Sequence, residues 1–394
     1  MARRVRLALG VVGIVAGIAG RANAQGVVSG QMPQDVARVG VGLTQNVIRG
    51  IVEAIQDAAR AARRVTVIDG HEISNAVRDA WRGVAHGGAS AWIGEQSGTL
   101  RAVQTDRETR TLQLGADGQL RLENISGDIT VAAGNGRDTT IEIVRHSHGR
   151  TDADAKLGLD HVRVDVAERG GRATVLETYS KDPRSLYNVD VEYHVTTPAG
   201  TAVSTHTFSG HVAVTGVHGE LSINTVSGNV DISDAGAVAE ARTISGNVTV
   251  VGVQTDGAVV AGTTSGIVRV SHIRAHQVSL DSIADNITAA DVTCDAATLH
   301  SFTGNLDFSG TLAPHGRYEF QTQAGNVHLG VDGRVGFEFD AKTFGGSIQT
   351  DIPLQMIGTI PRGIRQTLHG TSGDASANMS VTTFSGSIVL GKKP

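Results

Sequence analysis

From about residue 200 onward, apolar and polar positions recur with a period near 20 residues, the signature of a coiled array of similar units. Aligned on a Ser-Gly-Asn-like corner, the units centre on Gly210, Gly228, Gly246, Gly266, Asp285, Gly304, Gly325, Gly346 and Gly386, at intervals of 18, 18, 20, 19, 19, 21, 21 and 40 residues. Apolar residues stand seven and five positions before the corner (Leu221 and Ile223, Val259 and Ala261, Tyr318 and Phe320) and two and four after it (Val230 and Ile232, Val248 and Val250, Val268 and Val270). Three before it stands Thr or Ser: Thr207, Thr225, Thr243, Thr263, Ser282, Ser301, Thr322, Thr343 and Thr383. Each unit therefore reads as two short strands of period two joined by a bend. One unit cannot bury its apolar face alone, but equivalent strands stacked on successive coils can. The pattern predicts a mostly β protein, a β-solenoid of about nine to ten coils of roughly 20 residues over 201–394.

Two details qualify that picture. The interval of 40 is two periods and predicts a degenerate coil or an insertion. An outlying copy of the corner, Asn124-Ile125-Ser126-Gly127-Asp128-Ile129, stands well before the rest. Glycine at the corner permits a backbone angle that a Cβ penalises, and Asn and Asp tolerate it next best, so Asp285-Asn286 is expected to adopt the same bend. The Thr/Ser column has two readings. Its hydroxyls bond along the coil axis while its methyls pack, or it forms a flat array matched to a repeating lattice, as ice-binding surfaces do. It shares the parity of the apolar columns, which favours the first.

Upstream, 110–200 holds short β-branched runs (Ile141–Val144, Val162–Val166, Thr174–Thr178, Val189–Val195) and reads as a β-rich region. One short helix is expected over 152–160, with Thr151 or Asp152 as N-cap. Residues 25–100 read as a helical segment, because Val36, Val39, Leu43, Val47, Ile51, Ala54, Ile55, Ala58 and Ala62 recur mostly at spacings of three and four. Gly40, Gly42 and Gly50 weaken it, and Arg60, Arg63 and Arg64 close it. Its apolar face suits packing within the protein, a membrane surface or another helix.

The N-terminus carries the marks of a secretory signal over 1–24: Arg3, Arg4 and Arg6, a 14-residue apolar run from Leu7 to Gly20, and Ala22-Asn23-Ala24 as a small-x-small cleavage pattern. The run is too short to span a bilayer, and no later segment is long and apolar enough. The alternative is an uncleaved anchor. The signal places the protein in the periplasm, on the outer surface or outside the cell.

Fifty glycines against 14 aromatics favour tightly wound β structure over a helical enzyme core. A net charge of −5 without a basic block or stripe excludes nucleic acid as the natural partner. Cys294 is the only cysteine, so no internal disulfide forms, and it reads as a small buried apolar residue.

At Val226-Ser227-Gly228-Asn229-Val230, Ile244-Ser245-Gly246-Asn247-Val248 and Phe384-Ser385-Gly386-Ser387-Ile388, and at the preceding Val195-Thr196-Thr197-Pro198-Ala199-Gly200, the chain resembles a bacterial domain-of-unknown-function family labelled "putative adhesin". The resemblance covers about 110–394. It implies a β-solenoid and surface or adhesion roles, and it carries over no catalytic residues.

The sequence carries no recognisable catalytic constellation. Carbohydrate-cleaving β-helices need carboxylates clustered on adjacent coils. The outward columns Ala213, Asp231, Thr249, Arg269, Thr288, Asp307, His328, Gln349, Val389 and His206, Asn224, Arg242, Gly262, Asp281, His300, Gln321, Lys342, Thr382 do not pair acids on neighbouring coils. His146, His148, Asp152 and Asp154 form the densest polar cluster and the one place where a metal is conceivable, although such a short loop cluster is commonly just solvated. No phosphate loop or nucleophile elbow is present, and no cofactor is implied. The reading is an exported, non-enzymatic solenoid, adhesin-like or a cell-envelope scaffold, binding an unidentified surface protein or polysaccharide. The alternatives are a carbohydrate-active lyase or glycosidase and a self-assembling filament. Against the filament, Lys392, Lys393 and Pro394 read as edge protection of a terminal coil.

Overall fold

The computed structural model describes residues 100–179, 187–356 and 366–393. The expected signal and nearly all of the expected helical segment lie outside them. The described residues are mostly β strand, in a long, nearly closed, solenoid-like sheet with a single helix. Among them no helix is long and apolar enough to cross a membrane.

They divide into two compact units. The described part of the smaller one comprises 100–105, 146–163, 178–179 and 187–189. Its centre is α1 (Asp152–His161), which starts at a capping box: Thr151 Oγ1 accepts from the Asp154 amide, and the Asp154 carboxylate accepts from the Thr151 amide. Gly158 lets the helix lie close, since a Cβ there would stand 2.2 Å from Ser147 Oγ and 3.0 Å from Tyr187 and Val189. His161 Nδ1 meets Tyr187 Oη at 2.8 Å.

The larger unit holds 106–145, 164–177 and 190–393. Strands before the corner stack in parallel. Gln119–Ser126 lies on Ala202–Ser209, followed by Glu220–Ser227, Ala237–Ser245, Ala258–Ser265 and the second halves of Val268–Ser282, Ile287–Thr303 and Leu306–Ala324. Strands after the corner form the companion ladder, running through Ile129–Gly134, Val212–Thr215, Val230–Ala235, Val248–Gln254, the first halves of the same three long strands, and Val327–Val331. The ladder crosses residue 200 without a break. In-register stacking makes the core: Val230, Val248, Val268, Ile287, Leu306 and Val327 partner one another in turn, and none has any exposed surface. At about 25 cal/mol per Å² of apolar area, such columns are the main stabilising contribution.

Spatial order departs from chain order at both ends. The outlying copy at 124–129 is a full member of the stack. Leu120 partners Val203, and the Gly127 amide donates to Ser209 O at 3.0 Å. Arg172–Tyr179 stacks on its far side through residues up to Leu176, and Tyr193–Pro198 stacks likewise beside Ile129–Gly134. So the segment 119–134 lies between two that follow it in the chain.

The C-terminal end mirrors this. Phe337–Thr343 does not stack on Leu306–Ala324, because Ala377–Ser385 lies between them, parallel to both. Ile388–Lys392 likewise fills the place between Val327–Val331 and Ile348–Thr350. The 40-residue interval is an excursion: Gln366–Ser372 runs antiparallel along Phe337–Thr343 and pairs with Gln355–Met356. This corrects the edge-protection reading of the lysines. Lys392 pairs with Val331 in an interior strand, and the Lys393 amide donates to Val331 O at 2.9 Å.

Candidate interaction surface

The corner is built by three side-chain types acting between coils. At Gly228 φ is 144°, and a Cβ would lie 1.9 Å from Gly210 O, so only glycine lets the chain pass so close to the coil beneath. The glycine carbonyl then needs a donor. Thr243 Oγ1 supplies it to Gly228 O at 2.9 Å, as Thr263 does to Gly246 O, Thr322 to Gly304 O, Thr383 to Gly325 O and Thr343 to Gly386 O. The next amide is satisfied by an asparagine ladder. Asn229 Oδ1 accepts from the Asn247 amide, Asn247 Oδ1 from Ile267, Asn305 Oδ1 from Asn326, and Asn326 Oδ1 from Ser387.

The close approach recurs at Gly210, Gly246, Gly266, Gly304, Gly325, Gly386 and Gly346, each against the coil beneath it in space. Gly346 sits on Gly386, and Gly386 on Gly325. The left-handed angle expected at Asp285 is not adopted there, nor at Gly304, Gly325 or Gly346, and the Asp285 amide donates to Ser282 Oγ at 3.2 Å. The close approach persists above it, where a Cβ on Gly304 would stand 2.2 Å from Asp285 O, and that carbonyl accepts from Ser301 Oγ at 3.2 Å. The Thr column lies inside the stack, with Thr243 4 % exposed and Thr343 1 %, so it presents no lattice-matching surface.

The outward columns carry partners between coils. His328 Nδ1 lies 2.9 Å from Asp307, and His276 Nδ1 2.7 Å from Asp295. His211 stands 3.4 Å from Asp231, and Arg242 bridges Glu240 at 3.0 Å and Asp281 at 3.2 Å. The sequence of these columns shows no acid pairs on neighbouring coils, yet His328 faces Asp307 within one of them. The ladder register carried the signal, since Asp307 and His328 occupy the same column one coil apart.

A shallow open cleft of about 270 Å³ lies at the far bend of three coils, lined by Thr255, Asp256, Arg274, Ala275, His276, Thr293, Cys294 and Asp295. It brings Asp256 and Asp295 to one depression. Cys294 is buried, and burial pushes its thiol up to about 12, with Asp295 adding to the effect. At the edge of the same region Lys393 Nζ meets Asp291 at 2.6 Å, and this hydrogen bond holds the Asp291 carboxyl below its ordinary range. Tyr193, fully buried in the first coils, has its hydroxyl pushed well above its ordinary value by burial and the nearby Glu177.

The histidine cluster does not come together as a metal centre. Asp154 is committed to the cap of α1, and His146 Nδ1 meets Thr105 Oγ1 at 3.1 Å. Among the described residues no group of three or more His, Cys, Asp or Glu is placed to hold a metal ion.

One feature of the surface was not singled out from the sequence. Two positions before the corner Ile125, Phe208 and Ile244 are buried in the earlier coils, but in the later ones Ile283, Phe302, Phe384 and Phe344 are 45, 45, 56 and 45 % exposed. With Gln323 they form a single stripe over five consecutive coils in spatial order. The rings of Phe344 and Phe384 stack at 5.0 Å with 5° between their planes. The alternate position of these residues was readable, but their order in space was not.

A family model described as Toastrack DUF4097 matches residues 118–390. The chain belongs to this family. The Toastrack match begins beside the first stacked strand, at Gln119, and ends within Ile388–Lys392, so it takes in both out-of-order ends. It is a domain of unknown function.

The fold of this Toastrack chain is similar to three solved structures. A putative adhesin from Bacteroides fragilis is 12 % identical, with 72 % of this chain and 97 % of that one covered and a TM-score of 0.38. A putative lipid binding protein from Parabacteroides distasonis gives 12 %, 72 %, 96 % and 0.38. A putative cell adhesion protein from Clostridium sporogenes gives 10 %, 74 %, 100 % and 0.27. No curated protein matches the chain.

Proposed function

We propose that this Toastrack protein is an exported, non-enzymatic β-solenoid that acts as an adhesin-like or envelope-scaffold binding module, with a surface protein or polysaccharide as partner. The observation that carries the reading is the pairing of polar side chains in the outward columns, as in His328–Asp307 and Arg242–Glu240–Asp281, which gives a regular, solvated array. A preordered array binds an extended partner with little loss of side-chain freedom. The expected signal over 1–24 supports export to the periplasm, the outer surface or the medium.

A second reading has one observation in its favour. The open cleft gathers Asp256 and Asp295 with His276, the kind of acid grouping a carbohydrate-active enzyme requires. Against it, Asp295 is engaged by His276 at 2.7 Å.

The test is capture of isolated cell envelope and of arrayed polysaccharides by the purified protein, with reducing-sugar release read in the same wells. Binding without release supports the module. Release that disappears in Asp256→Asn supports the enzyme and overturns the first reading.

A further inference from the structure

From Ala102 to Thr111 no residue of the strand Ala102–Leu112 is buried; the first that is, Leu112, stands at its end. The strand pairs with Thr139–Gly149, which pairs also with Tyr187–Pro198. Thr139–Gly149 buries Ile141, Ile143 and Val144 on its own account. The side-chain contacts across the pair are polar. Asp106 bonds to Arg145, Arg107 Nη1 lies 2.7 Å from Glu142 Oε1, and Thr105 Oγ1 lies 3.1 Å from His146 Nδ1. Glu108 turns to Arg110 of its own strand.

Ordering a backbone costs conformational entropy at every residue, and apolar burial is what chiefly offsets it. In this strand the offset comes from backbone hydrogen bonds and from ion pairs at the surface. The Arg107 and Glu142 side chains are 66 and 33 % exposed, and ion pairs so placed contribute little. The situation changes at Leu112. It and Leu114 are each 4 % exposed, and the Gln113 amide donates to Glu168 Oε1 at 3.0 Å, so the chain is anchored from there on.

We propose that Ala102–Thr111 is a detachable cover strand, hinged at Leu112 and fastened by its ion pairs, which opens and recloses on Thr139–Gly149 while the stack stays folded. Segments with few buried apolar contacts and exposed backbone hydrogen bonds are the ones that open locally at low free energy. Thr139–Gly149 keeps its place when the strand leaves, because its buried side chains and its other neighbour hold it. Closed, the strand covers one edge of Thr139–Gly149. Open, it releases that row of amides and carbonyls, the groups through which a sheet edge pairs with an extended segment. The device is independent of what the outward columns bind.

The test is amide hydrogen exchange of the full chain, read on peptic fragments covering 102–111, 119–126 and 139–147. Fragment 102–111 is expected to exchange at least about tenfold faster than 119–126, whose strand lies within the stack. Fragment 139–147 is expected to be biphasic: amides that pair with the cover strand exchange along with it, and those that pair with Tyr187–Pro198 stay slow. Salt at about 1 M, which screens surface charge pairs, is expected to speed the strand about two- to fivefold relative to 119–126. Glu142→Gln removes the partner of Arg107 and is expected to give a similar increase with the melting temperature unchanged. A difference of less than about tenfold between 102–111 and 119–126 overturns the proposal, because the strand then opens only with the stack. Uniformly fast exchange of 139–147 overturns it as well, since the neighbour then unfolds with the strand. So does a strand whose exchange neither salt nor Glu142→Gln alters.

Discussion

The hydroxyl of Thr243 donates to the carbonyl of Gly228, 15 residues earlier and one coil below, at 2.9 Å. The glycine can approach the coil beneath only because it lacks a Cβ, and its carbonyl is then left needing a donor. The threonine is what makes the approach affordable. Thr243→Val keeps the shape and removes the donor. We expect it to cost about 1–3 kcal/mol, the usual penalty for stranding a buried polar group, read as a lower urea midpoint with an unchanged slope. An unshifted midpoint would show that the carbonyl finds another partner.

Gly228→Ala should cost more, about 3 kcal/mol or above, since its Cβ falls 1.9 Å from Gly210 O and backbone cannot move aside cheaply. Gly257→Ala is the control. Its Cβ would meet only Thr255 Oγ1, at 3.4 Å, and the change should stay within about 1 kcal/mol. Equal melting temperatures for the two variants would contradict the close approach.

Val248→Asp places a carboxylate with no exposed surface between Val230 and Val268. An unpaired charge in that column is expected to destabilise by more than about 3 kcal/mol and to lower the melting temperature by many degrees. Circular dichroism during heating decides it.

Burial holds the Cys294 thiol up to about 12, against an ordinary value of 9.0. The folded state keeps a proton that the unfolded chain releases, so the associated stability is present below about pH 9 and declines as pH rises toward about 12. At pH 8 the thiolate fraction of the native protein is roughly a thousandth of that in the unfolded chain. Labelling by a thiol reagent should therefore be slow in the native protein and rapid in denaturant. Fast labelling of the native protein would place the thiol nearer the surface.

The column assignments were legible because burial imposes parity. Val230, Val248 and Val268 stand two after the corner in sequence and are ladder partners in the structure. Neighbour order was not legible. Every coil offers the same columns, so Ala377–Ser385 fits Leu306–Ala324 as well as Phe337–Thr343 does, and no side chain in the pattern states which lies next. The left-handed angle expected at Asp285 is absent there and at Gly304, Gly325 and Gly346, because residue type permits that angle without requiring it. The apolar stripe escaped for both reasons at once: its residues sit on the outward parity, and Phe384 and Phe344 are neighbours despite lying 40 residues apart.

The placement of Ala377–Lys392 between two earlier segments also bears on how such a molecule can change over time. A solenoid whose coils follow chain order is lengthened by duplicating a unit anywhere, and each new coil simply extends the row. Here a duplication within 202–331 would extend the row in that way, whereas the place between Leu306–Val331 and Phe337–Thr350 is already filled by one strand pair from later in the chain. The interleaved end works like a keystone: Ala377–Lys392 is bonded on both sides and joins the last coil to the row before it.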